Sequence, residues 1–197
     1  KLIKKPGLFK LLTAVGLLFF ANRRWNERFV EATNIPAPIT DAQGKKLYGR
    51  KIRVRSLFNA PPEKVWQAVR TVDLLRKVSA PLLTFRPLGP EPIPSNWQEG
   101  TSGTFQLLAF GLLPVGKHTI NMIILDEQRH YMLTNEHGDA AKIWNHQIWV
   151  AASDDGRTLY TDEIDIYASF LTPAVAAFAY FFYRYRQTRW QALASTL

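Results

Sequence analysis

Cysteine is absent from all 197 residues, which excludes disulfide frameworks, thiolate metal sites and cysteine nucleophiles together. Histidine is scarce, and His118, His130, His137 and His146 show no tight metal spacing, so no metal is expected. No glycine-rich phosphate loop of the Walker or dinucleotide type occurs, and no serine sits in a nucleophile-elbow pattern, so no cofactor is expected either. Internal repeats and low-complexity tracts are also missing. What the chain does have is 47% hydrophobic and 13% aromatic residues, enough for one sizeable core. It also has 25 Lys and Arg against 16 Asp and Glu, a formal charge of +9 that draws it to anionic surfaces.

The basic charge clusters beside apolar runs. "KLIKKPGLFKLLTAVGLLFFANRRW" starts like a signal peptide but shows no small-x-small cleavage pattern. Its charge-free stretch, 11–21, is about 16 Å long as a helix, against a bilayer core of about 30 Å. It is too short to span unless upstream residues extend it. Two readings follow: an interfacial helix on an anionic membrane surface, or a helix docked on the domain or on another copy. "NIPAPITDAQGKKLYGR", rich in proline and glycine, reads as a linker. Residues 1–50 are therefore expected to form a helical appendage and linker, and 51–197 the domain.

From Lys51 the pattern changes to period two. "KIRVRSLFN" reads as a strand, "APPEKVWQAVRTV" as a helix with Pro62 and Glu63 in its first turn, and "DLLRKVS" as a second short helix. A proline-rich loop follows. Then "TFQLLAF", "KHTINMIIL", "HYMLTNEH", "KIWNHQIWVAA" and "TLYTDEIDIYA" read as strands joined by short turns, an antiparallel meander. "NEHGD", with Glu136, His137 and Asp139, reads as a solvated hairpin tip. The chain closes with one long helix from Pro173, with Thr172 as its N-cap.

This α+β order, a strand, two short helices, a curved antiparallel sheet and a long C-terminal helix, is that of the helix-grip fold. "NAPPEKVWQAVRTVDLL" resembles the strand-to-helix junction of the SRPBCC or START-like superfamily. "EGTSGTFQLL", "TLYTDEIDI" and "FFYRYRQTRWQAL" resemble its bacterial members of the polyketide cyclase, dehydrase or lipid-transport type. The resemblance spans roughly residues 51–193. It implies a sheet wrapped round the closing helix, an enclosed apolar cavity, and a bacterial protein that is cytoplasmic or peripheral to the membrane.

In such a grip the more apolar face of each strand points inward. That selects Phe105 and Leu107; His118, Ile120, Met122 and Ile124; Tyr131 and Leu133; Trp144, His146 and Ile148; and Tyr160, Asp162 and Ile164. Phe178 and Phe182 join them from a helical stripe that also carries Val175 and Tyr185. Three polar groups stand out on the inward face, His118, His146 and Asp162, and a His146–Asp162 pair is suited to orienting a ligand carbonyl or to acid–base work.

Three functions remain open. The first is binding or transfer of an apolar small molecule (lipid, fatty acyl, isoprenoid or polyketide) by a membrane-peripheral protein. The second is a cyclase or dehydratase using His118, His146 and Asp162. The third is an accessory docking protein without turnover. The Arg and aromatic mixture around Arg184, Arg186, Arg189 and Trp190 carries no recognised nucleic-acid motif, which counts against nucleic acid. Its outer face leaves lipid, the N-terminal helix or a second subunit in a homo-oligomer as partners.

Overall fold

A computed structural model describes residues 22–89 and 94–197. The basic, apolar segment 1–21, read above as an interfacial or docked helix, lies outside the described residues. Eight strands form one sheet: β1 (Glu31–Thr40), β2 (Lys46–Phe58), β3 (Leu83–Leu88), β4 (Ser102–Ala109), β5 (Leu113–Asp126), β6 (Tyr131–Gly138), β7 (Ile143–Ala152) and β8 (Thr158–Tyr167). Every neighbouring pair is antiparallel, in the order β1-β2-β8-β7-β6-β5-β4-β3. Helices α1 (Pro62–Val69) and α2 (Val72–Ser79) cross from β2 to β3, and α3 (Thr172–Ala194) closes the chain. This is the helix-grip fold.

The expected linker is a strand hairpin instead. Glu31 to Thr40 pair residue by residue with Arg55 to Lys46. Pro36 and Pro38 are tolerated because β1 is a sheet edge, and their two-residue spacing points both missing N–H groups toward solvent. Ala37 and Ile39 between and after them are buried. Asp41 makes the turn, its Oδ1 accepting from the Gln43 and Lys45 amides at 3.0 and 2.8 Å. Gly49 of β2 admits Ile39: a Cβ there would lie 2.1 Å from Ile39 Cδ1 and 2.6 Å from Ile166 O. The sheet thus begins upstream of the boundary placed near Arg50.

Helix α1 buries Val65, Trp66 and Val69, and α2 buries Val72, Leu74 and Val78, with Thr71 Oγ1 accepting from the Leu74 amide. Thr172 does not cap α3. Its hydroxyl accepts from the Ala168 amide and donates to Ser169 O, tying down the single 3-10 turn (Ser169–Leu171) ahead of the helix. Along α3 the buried residues include Ala176, Ala179, Phe182, Tyr183, Arg186, Gln187, Trp190 and Ala194. The inward stripe therefore runs through small residues and Tyr183, whereas Phe178 and Phe181 are 44% and 43% exposed. The small residues let the α3 backbone run close to β1, β2 and β8, and no other strand approaches it comparably.

The end of the N-terminal segment packs on the outer face of α3. Trp25 donates from Nε1 to Thr188 Oγ1 at 2.9 Å and meets Phe181 edge-on. The Arg184 guanidinium lies 3.9 Å over the Trp25 ring and donates to Asn26 Oδ1. Among the described residues no helix is long and apolar enough to cross a membrane.

Candidate ligand cavity and its polar wall

Because α3 rests on the β1–β2–β8 side, the β4–β7 side of the curved sheet stands away from it. The gap is a cavity of about 520 Å³, within the range of small-molecule sites. Its walls come from α2 (Leu74, Leu75), β3 (Leu83, Phe85), β4 (Leu107, Ala109), β5 (His118, Ile120, Met122), β6 (Met132, Thr134, Glu136), β7 (Trp144, His146, Ile148) and α3 (Val175, Phe178, Phe182, Tyr183, Arg186). The most exposed lining residues, around the β4–β5 turn and just ahead of α3, mark its mouth. Phe110, Val115 and Leu171 line it and are 63%, 48% and 47% exposed. Leu112, Leu113 and Phe170, in the same two turns, are more than half exposed as well.

One wall is polar. His146 Nε2 lies 2.6 Å from Asp162 Oδ1 on β8, and His118 Nε2 lies 2.6 Å from Glu136 Oε2 on β6. Thr134 donates its hydroxyl to Glu136 Oε1, and His146 Nδ1 stands 3.9 Å from that same oxygen, so His146 sits between two carboxylates. Behind the wall Asp162 also accepts from Gln187 Nε2 at 2.9 Å and from the Tyr160 hydroxyl at 3.4 Å. Gln187 is fixed in turn by Ser56 and by Val54 O. Burial alone would push both carboxyls up. The hydrogen bonds and nearby charge of His118 and His146 more than offset this and hold Glu136 and Asp162 below the usual carboxylate range. Burial raises the Tyr183 phenol, so it stays protonated, while its oxygen accepts from Trp144 Nε1 at 3.1 Å. Arg186 is opposed by burial, but Tyr183, Asp162, Tyr160 and Glu136 around it keep it charged.

Of the residues selected from sequence, Leu107, His118, Ile120, Met122, Trp144, His146, Ile148, Phe178 and Phe182 line the cavity. Asp162 lies one layer behind His146. Phe105, Tyr160 and Ile164 are fully buried in the packed core and do not reach the cavity, Phe105 edge-on to Phe85 and Tyr160 stacked on Phe58. Tyr131 and Leu133 are on the opposite face: Met132, Thr134 and Glu136 are the buried set of β6, and Tyr131 packs on Trp149 and donates to Gln147 outside. Choosing the more apolar alternation fails there because the inner face carries the polar cluster. Ile124 also turns outward, through a register shift between Met122 and Ile124.

Glu136 and Arg186 were missed. Glu136 is not at a hairpin tip but inside β6, opposite Trp144 on one side and Ile120 on the other. Nothing local in "NEHGD" distinguishes it. Arg186 had a signal: it follows Phe182 by four residues and precedes Trp190 by four, which places it on their face of the helix. Among the described residues no group of three or more His, Asp or Glu is arranged to hold a metal ion.

This architecture defines a helix-grip protein with an internal cavity. Solved structures share the fold. A Chromobacterium violaceum protein matches at 18% identity and TM-score 0.58, covering 74% of this chain and 96% of its own. A Mycobacterium smegmatis protein matches at 15% identity and TM-score 0.57, covering 84% and 99%. Ginseng major latex-like protein 151 from Panax ginseng matches at 10% identity and TM-score 0.54, covering 73% and 96%. At these identities the likeness concerns the fold. A comparison with curated proteins finds no match. The chain belongs to the family described as Domain of unknown function (DUF8410), whose model matches residues 56–193.

Proposed function

We propose that the protein binds an apolar small molecule, such as a lipid, fatty acyl chain, isoprenoid or polyketide, and carries or transfers it. The cavity of about 520 Å³ carries this reading: most of its wall is apolar, and its mouth opens between exposed apolar turns. Burying a ligand chain there removes apolar surface from water on both partners, at roughly 25 cal/mol per Å². The exposed Phe110, Leu112, Leu113 and Phe170 around the mouth, with the net charge of +9, support loading at an anionic membrane surface.

The test is native mass spectrometry of gently purified protein, with organic extraction of what is released. A stoichiometric apolar adduct is expected. An empty protein that also takes up no lipid or polyketide mimic contradicts the reading. For the membrane part, co-sedimentation with phosphatidylglycerol vesicles should fall in the double variant Leu112→Ser and Phe170→Ser, and unchanged binding excludes the rim as the membrane contact.

A second reading has its own observation. Asp162 orients His146 at 2.6 Å, and His146 lines the cavity. That arrangement suits proton transfer to or from a bound ligand, with His118 and Glu136 as a neighbouring pair. Turnover of a polyketide mimic that is lost in His146→Ala, with ligand affinity kept, would favour it over simple carriage.

A further inference from the structure

The hydrogen-bond inventory of the polar wall is unbalanced. Its acceptors are taken: Glu136 receives Thr134 and sits on His118, and Asp162 sits on His146 and receives Gln187 and Tyr160. Its donors are not. Arg186 is only 9% exposed, lines the cavity, and no hydrogen bond or ion pair joins its guanidinium to another described residue; its Nε is buried without a partner. Its contacts are the faces of Tyr183 and Phe182, at 4.9 and 5.8 Å. Tyr183, 2% exposed, accepts from Trp144, while its own hydroxyl proton meets no acceptor among the described residues. Asp162 and Glu136 act on Arg186 only through space: neither forms an ion pair with it, and each already has an imidazole 2.6 Å away.

An unpaired buried cation is costly unless something pairs with it. We infer that Arg186 and Tyr183 form the head-group subsite of the cavity, and that the ligand is an amphipathic acid: an apolar body ending in a carboxylate. A carboxylate fits the guanidinium's two-pronged donor edge and has lone pairs left for the Tyr183 hydroxyl. An alcohol leaves most of those donors empty, and an ammonium group meets like charge. Arg186 lies on α3 beside Phe182 and Tyr183, away from the mouth residues Phe110 and Leu171, so the acid would enter head first with its chain along Ile120, Ile148 and Val175.

The inference rests on the apolar-ligand reading, and the experiment separates the two. Dissociation constants for dodecanoate, dodecanol and dodecyltrimethylammonium are measured by calorimetry on the full chain, as wild type, Arg186→Gln and Tyr183→Phe. Wild type should prefer dodecanoate to dodecanol by about tenfold or more. Arg186→Gln should reduce that ratio to about threefold or less, with dodecanol affinity kept, and Tyr183→Phe should reduce it partway. Equal affinities in wild type, or a ratio that survives Arg186→Gln, overturn the head-group subsite and leave the cavity reading standing. Binding of none of the three overturns both. If Arg186→Gln loses the wild-type circular dichroism, Arg186→Lys replaces it. Lysine keeps the charge but loses the fork, so the ratio should fall, and an unchanged ratio overturns the inference.

Discussion

The two sides of the grip are built from similar residues and behave oppositely. On the β2–β8 side α3 closes onto the sheet. Phe58 stacks on Tyr160 at 4.9 Å, Trp190 meets Phe58 edge-on at 5.5 Å, and Ile52, Val54 and Ile164 are fully buried. On the β4–β7 side the same helix stands off, and Leu107, Ile120, Ile148 and Val175 face empty space. Hydrophobicity alone therefore does not decide which side is core and which is pocket. Small residues decide it, through Ala176 and Ala179, which bring the helix down on one side, and the curvature of the sheet, which lifts the other side away.

The largest expected difference between the sides is in stability. Phe58→Ala should cost about 3–5 kcal/mol, because the sealed side cannot collapse around the hole. Leu107→Ala should cost only about 1 kcal/mol, since part of its surface already faces a void. Urea unfolding followed by tryptophan fluorescence measures both, and equal losses would erase the distinction. Next comes Asp162→Ala, which removes the partner of His146, Gln187 and Tyr160 at the seam between the sides. About 3 kcal/mol is expected from an abandoned buried pair, by the same assay.

A smaller effect sharpens the comparison from the open side. Leu107→Trp should fill the cavity and weaken dodecanol binding by about tenfold or more while stability changes by about 1 kcal/mol or less. Calorimetry and urea unfolding read the two quantities. The smallest effect is in pH dependence. The folded-state pKa values of Glu136 and Asp162 are lowered, so the folded protein binds fewer protons than the unfolded chain as pH falls. Their contribution is full above the ordinary carboxylate range of about 4 and is lost as pH drops through the lowered values. Denaturation midpoints measured from neutral to acid should fall less steeply in Glu136→Gln than in wild type.

Much of the architecture was legible in the sequence. The alternation in "KIWNHQIWV" placed Trp144, His146 and Ile148 inward, and all three are buried. Pro62 with Glu63 marked α1, and the breaker-free tail marked α3. What stayed hidden has specific physical causes. Strand β1 was masked by Pro36 and Pro38, which an edge strand accepts and a central strand would not. The inner face of β6 was masked because Thr134 and Glu136 make it the more polar one, a choice only the partners on β5 and β7 can justify. Arg186 looked like surface charge, and its burial depends on the sheet curling over its turn of α3.

Apolar ligands should enter one side of the grip and not the other. Methyl-resolved NMR during titration with dodecanol tests this most directly. Shifts should move at Leu107, Ile120, Ile148 and Val175 and stay fixed at Ile52, Val54 and Ile164. Movement spread over both sets, or confined to exposed Leu112 and Leu113, would contradict a ligand cavity between the β4–β7 side and α3.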